Sequence, residues 1–167
     1  MTRTTIRSVT QTSALQATGP FGPIQIKVCL YGSAMSGKTS FIRSKLGDIY
    51  NQYVPTIGVE VHPIITSSYC INFWDMAGQN KLGGLASAYL LGSEYVWLFC
   101  ADNLPYVQQA KSEGRIECGP DLEFLSYIQR DAPNAIVYAI GEHISDEIRQ
   151  QVDACFATPD LALNSLQ

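Results

Sequence analysis

Residues 32–39 read Gly32-Ser33-Ala34-Met35-Ser36-Gly37-Lys38-Thr39, with glycine, four free positions and then Gly-Lys-Thr. That spacing suits the holding of a polyphosphate. The glycines let the backbone curl until its N–H groups point inward, Lys38 brings a point charge to the outer phosphates, and Thr39 offers a hydroxyl to Mg²⁺. The helix opened by Lys38, Thr39 and Ser40 turns its N-terminus toward the anion. The plain alternative is a chance glycine turn. Context disfavours it, because apolar alternation at Ile24, Ile26, Val28 and Leu30 precedes the motif and a helical stretch follows.

Two downstream stretches point to a family. Tyr53-Val54-Pro55-Thr56-Ile57-Gly58-Val59-Glu60-Val61-His62-Pro63 resembles the first switch segment of the Ran family of Ras-superfamily small GTPases. Trp74-Asp75-Met76-Ala77-Gly78-Gln79-Asn80-Lys81-Leu82-Gly83-Gly84-Leu85 resembles the second. The Gly-Val-Glu-Val-His-Pro run and the Gly-Gly-Leu are closer to Ran than to Ras, Rho or Rab. The resemblance is strong from Gln25 to about Asp102 and weaker to about Ile140.

The resemblance implies a set of roles. Thr39 would bind Mg²⁺ directly, Thr56 would close over the ion and the γ-phosphate, and Asp75 would hold the ion through water. The Gly78 N–H would feel the γ-phosphate, Gln79 would orient the attacking water, and Tyr53 would fold over the phosphates. Loss of the γ-phosphate would release Thr56 and Gly78 and relax both segments. The implied ligands are Mg²⁺ with GTP or GDP, and the implied activity is nucleoside-triphosphate hydrolysis.

The sequence also departs from the family pattern. Ala34 stands where glycine is usual, and its methyl, with bulky Met35 beside it, crowds the space used by Gln79 and by an activator's arginine. Slow hydrolysis is expected. The guanine-reading Asn-Lys-x-Asp should follow the strand ending at Ile140, but Gly141-Glu142-His143-Ile144 stands there. A carboxylate at that place accepts two N–H donors that guanine has and adenine lacks. Candidates for the base site are Glu142 and His143, the latter also readable as an exposed loop residue, and Ile49 or Tyr50 at the position of the family's aromatic ring. No Ser-Ala-Lys motif follows. Relaxed base choice, with ATP and other nucleotides accepted, is the expectation. The alternative is a non-hydrolysing Ran mimic that acts as an interaction module.

These residues need a scaffold of strands alternating with helices, an α/β sheet covered on both faces with its ligand at the strands' carboxyl ends. The patterns predict strands at 24–30, 59–65, 68–74, 95–100 and 135–140, and helices at 38–46, 85–91, 120–130 and 146–157. Residues 103–119 read as irregular. The family's last strand and helix have no visible counterpart, which leaves a sheet edge to cover. Residues 1–23 read as a flexible arm with some strand character at Thr4–Val9, and 24–167 as one nucleotide-binding domain.

The chain has 167 residues and a formal net charge of -4, which suits a single domain and disfavours general nucleic-acid binding. Five cysteines without CxxC spacing point away from a disulfide scaffold or zinc site, with Cys29 and Cys100 read as core. Trp74, Trp97, Phe99 and Tyr138 are read as core too. No apolar run approaches the roughly 20 residues of a membrane helix, and the last residues form no CaaX box. An intracellular protein of cytoplasm or nucleus, without a membrane anchor, is expected. The implied partners are nuclear-transport-type proteins at the switch segments.

Overall fold

The computed structural model describes residues 7–8, 23–47, 54–66, 69–78 and 85–166. Among the described residues seven strands form one sheet in the order β1-β3-β4-β2-β5-β6-β7. They are β1 (Arg7–Ser8), β2 (Ile24–Gly32), β3 (Val59–Ile65), β4 (Tyr69–Met76), β5 (Tyr95–Phe99), β6 (Ile136–Ile140) and β7 (Ala154–Phe156). The pairs from β4 through β2, β5 and β6 to β7 are parallel, while β3 and β1 add antiparallel strands at one side. Helices α1 (Lys38–Leu46), α2 (Leu85–Leu90), α3 (Pro105–Ser112), α4 (Asp121–Asp131), α5 (Asp146–Arg149) and α6 (Pro159–Ser165) complete the fold.

The period-two rule of a strand sends successive side chains to opposite faces. Cys29 and Tyr31 of β2, with Val96 and Leu98 of β5, pack under Leu90 of α2 and Phe124, Leu125 and Ile128 of α4. Val28 and Leu30, with Trp97 and Phe99, pack under Phe41 and Ile42 of α1 and Ala162 and Leu163 of α6. Trp97 is fully buried among Phe41, Phe73 and Tyr138, so its ring belongs to the core. Trp74 is half-buried and carries the Lys27 ammonium 4.1 Å from its ring centroid. The α/β sheet with helices on both faces therefore forms as the sequence predicts.

Three local expectations are corrected. Residues 103–119 are not wholly irregular, because α3 lies within them with Pro105 in its first turn. The helix expected over 146–157 is one turn, α5, capped where the Ser145 hydroxyl accepts from Ile148 N–H at 3.3 Å. After α5 the chain forms a three-residue strand, β7, and a seven-residue helix, α6, where the sequence pattern predicts neither. Asp153 ends the turn by pairing with β6, where its N–H donates to the Val137 carbonyl and its carboxylate accepts from Val137 N–H at 2.7 Å. Pro159 then opens α6. Of the N-terminal arm, Arg7–Ser8 pairs antiparallel with Ile64–Ile65 of β3, at the side of the sheet away from β7.

The turn that leaves β5 is fixed by two carboxylates. Asp121, 3% exposed, accepts from Ala101 N–H through both oxygens at 3.0 and 2.9 Å and from Asp102 N–H at 3.0 Å. Asp121 N–H in turn donates to the Asp102 carboxylate at 2.9 Å. Burial raises the pKa of Asp121, and the backbone donors pull it back. Asp121→Asn would aim an amide N–H₂ at one of those donors. The expected loss is about 1–3 kcal/mol in denaturant unfolding. An unchanged midpoint would mean that the clamp contributes nothing.

Candidate functional site

The loop between β2 and α1 is shaped by its glycines. Gly32 has φ +129, and a Cβ there would stand 2.5 Å from the Phe99 carbonyl oxygen. Gly37, at the N-cap of α1, has φ +96. Met35 takes a left-handed φ of 61 without being glycine, a conformation held only where the surroundings enforce it. The Ala34 N–H donates to the Gly78 carbonyl at 3.0 Å, and a Cβ on Gly78 would come within 2.3 Å of the Ala34 nitrogen. The phosphate loop and the start of the second switch segment are thereby fixed in backbone contact.

A cavity of about 260 Å³ opens over this loop. Residues 34–40 line it, together with Thr56, Met76, Gly78 and Tyr106. Lys38 is buried, and its ammonium donates to the Gly32 and Ser33 carbonyls at 2.9 and 2.7 Å and to the Ser36 hydroxyl at 3.2 Å. Burial lowers its pKa to about 8, against the pull of Asp75 and Cys118. The Thr39 hydroxyl donates to the Asp75 carboxylate at 2.6 Å and lies 2.9 Å from the Thr56 hydroxyl. Asp75 is fully buried, and its pKa is raised by burial, with Thr39 and Lys38 opposing. Its other oxygen, Oδ1, is buried without a hydrogen-bond partner among the described residues.

That cluster passes a test of fit for Mg²⁺. Three hard oxygen donors from three separate segments converge, and one of them belongs to a buried carboxylate whose second oxygen has no partner among the described residues. A nearby cation would offset the desolvation of Asp75, as anionic phosphates would offset that of Lys38.

A second cavity, about 200 Å³, adjoins the first along Ser36 and Gly37 at the carboxyl ends of β5, β6 and β7. Glu142 and His143 line it, as do Asn103, Leu104, Ala157 and Pro159. Two of the four base-site candidates are therefore brought beside the phosphate loop. The loop after β7, which carries no Ser-Ala-Lys, forms part of the wall. The side-chain amide of Asn103 donates to the His143 carbonyl at 3.1 Å and ties the two sides together. The candidates Ile49, Tyr50, Tyr53 and Gln79 lie outside the described residues.

The profile of the family described as the Ras of Complex, Roc, domain of DAPkinase matches residues 27–145. The chain belongs to the Roc family. A Roc domain is a small-GTPase-type module of the Ras superfamily, so nucleotide binding follows from the membership. The superfamily uses GTP or GDP with Mg²⁺. The matched span runs from β2 past β6 and takes in the phosphate loop, Thr56, Asp75, Gly78 and residues 141–143.

Sequence reasoning missed Tyr106, Asn103 and the Asp102–Asp121 clamp. A signal existed for Tyr106. Pro105 suits the first turn of a helix, and Val107 and Ala110 stand three apart on one face.

The Roc domain's buried lysine gives a pH test with a fixed sign. Folding lowers the Lys38 pKa, so the unfolded chain binds more protons between about pH 8 and the ordinary lysine value of 10.5. Without nucleotide, wild-type stability should therefore rise across that window relative to Lys38→Met. Parallel thermal-melt profiles for the two proteins would show that the ammonium is not held in a buried place.

Proposed function

We propose that this Roc domain is a Ran-like, Mg²⁺-dependent nucleoside-triphosphate switch that hydrolyses its ligand slowly and reads the base loosely. One contrast carries the reading. The phosphate cavity has a full set of charged and hydroxyl groups, whereas the adjoining cavity presents Gly141-Glu142-His143 where guanine is normally read.

In this reading the backbone N–H groups of residues 32–40 and the Lys38 ammonium bind the phosphates. Thr39, Thr56 and Asp75 would hold Mg²⁺, Asp75 through water, and the ion would supply positive charge against the developing phosphate charge. Gln79 orients a water in line with the γ-phosphorus. Its oxygen bonds to phosphorus as the bridge to the β-phosphate breaks, giving diphosphate and inorganic phosphate. Gly78 N–H favours the γ-phosphate oxygens, and Tyr53 closes over them. Slow turnover is supported by Ala34, which is 4% exposed and in backbone contact with Gly78, one residue before Gln79.

Partner binding is proposed at the first switch segment. Val54, Ile57 and Val61 are exposed by 60, 92 and 45%, and apolar side chains this open along one segment suit a protein surface. Nuclear-transport-type proteins are the partners this reading names, in cytoplasm or nucleus. Among the described residues no helix is long and apolar enough to cross a membrane.

The test is Mg²⁺-dependent binding and phosphate release with GTP, ATP, CTP and UTP side by side, for wild type and Gln79→Leu. Affinities within about ten-fold across bases correspond to about 1.4 kcal/mol of discrimination and are the expected result. Release should fall in the variant by at least about ten-fold. A strong preference for guanine nucleotides would end the relaxed-base reading, and binding without Gln79-dependent release would favour the non-hydrolysing interaction module. In single-turnover assays Ala34→Gly should be faster than wild type. An unchanged rate would count against crowding.

A further inference from the structure

The segment between β5 and α4 builds a wall that the reading above does not use. Val107 and Ala110 of α3 are fully buried, and with Ile116 and Ala101 they pack on Ala34 of the phosphate loop. Leu104 and Met35 fill in around that contact. The base of the helix is tied down in several ways. Leu104 N–H donates to the Ala101 carbonyl at 3.0 Å, and the Lys111 ammonium reaches the Gly119 carbonyl at 3.2 Å and the Asp102 carboxylate at 3.5 Å. Asp102 is itself locked to Asp121. The helix is therefore a fixed part of the site.

Tyr106, in the first turn of α3, lines the same cavity as Lys38, Thr56 and Gly78. It is half-exposed. Its hydroxyl has no hydrogen-bond partner among the described residues, whereas the donors of Lys38 and Thr39 are occupied within the cluster. A phenol beside a phosphate cavity with a free O–H is a donor suited to a phosphate oxygen. In the proposed reading Thr56 and Gly78 serve the third phosphate, and Tyr106 lines the same cavity as both.

We infer that Tyr106 is a nucleotide-contacting residue that donates its phenol hydroxyl to the terminal phosphate, presented in cis by α3 seated on Ala34. The inference rests on the triphosphate reading of this cavity. It adds a contact that distinguishes triphosphate from diphosphate and comes from outside the phosphate loop and both switch segments. Packing of α3 on Ala34 also gives the Ala34 methyl a structural partner, apart from any effect on Gln79.

The experiment compares wild type, Tyr106→Phe and Tyr106→Ala for binding of GDP and of a non-hydrolysable imido analogue of GTP, with Mg²⁺, by titration. The ³¹P spectrum of the bound analogue is recorded in parallel. Tyr106→Phe removes only the hydroxyl and keeps the ring, so folding is preserved and checked by thermal melt. The expected result is about ten-fold weaker binding of the triphosphate analogue, the low end for a hydrogen bond to a charged group, with GDP changed less than about two-fold. The γ-phosphorus resonance should shift between wild type and Tyr106→Phe while the α resonance stays in place. Equal losses for both nucleotides, or no loss with an unmoved γ resonance, would overturn the inference and leave the triphosphate reading standing. If wild type binds neither nucleotide, the triphosphate reading fails and the inference fails with it.

Discussion

The site depends on how closely two backbones approach at the end of the central strand. The Ala34 N–H meets the Gly78 carbonyl at 3.0 Å, and the space between them admits no Cβ on residue 78. Parallel pairing of β2 with both β4 and β5 delivers the two segments to that point in register, with Leu30 opposite Asp75 and Gly32 opposite Phe99. Asp75 thereby sits level with the start of the phosphate loop, and Thr39 on the first turn of α1 reaches it. A slip of one residue in the β2–β4 pairing would turn Asp75 to the other face and dissolve the cluster.

Polar groups this deep are costly without partners. Lys38 and Asp75 are both buried, and burial pushes their pKa values toward the neutral forms, the lysine down and the carboxyl up. Each is only partly compensated, Lys38 by loop carbonyls and Asp75 by one threonine hydroxyl. Part of the folding free energy is held against these two groups. Ligands of the opposite charge would return it, and such sites are where a fold is least stable without its ligand.

Much of this was legible in the sequence. The alternation from Ile24 to Leu30 marked β2, and the Gly-Lys-Thr spacing marked the loop, because both are local patterns of one or two turns. The strand pair around Asp75 was equally plain from its β-branched and aromatic residues. What was not legible depended on tertiary contact. Ala154–Phe156 is only three residues long and follows residues that suit a helix, and it becomes a strand because β6 offers a parallel edge. Helix α3 has only two fully buried side chains, Val107 and Ala110, so its apolar pattern was too short to separate from the glycines around it. Its reason for being helical is Ala34, more than seventy residues earlier. Tyr106 could not be placed in the site without that contact.

The two adjoining cavities differ in what would build their selectivity. In the proposed reading phosphates would be held chiefly by backbone N–H groups and by the curvature that Gly32 and Gly37 permit, so changes in most side chains would leave that capacity in place. Ala34 and Met35 occupy positions in the loop, yet the curl survives them. A base is read by side-chain donors and acceptors, and each one lost removes a pairing that no backbone group replaces. The second cavity has walls at the ends of β5, β6 and β7, and Glu142, His143 and Asn103 are among the side chains on them. The Asn103 amide N–H₂ is engaged with the His143 carbonyl, and the Glu142 carboxylate is the anionic acceptor on that wall. In the reading proposed above, one carboxylate could accept from guanine's two donors or from the amino group of adenine or cytosine, so the polyphosphate end of the ligand would be the part this scaffold specifies most strongly.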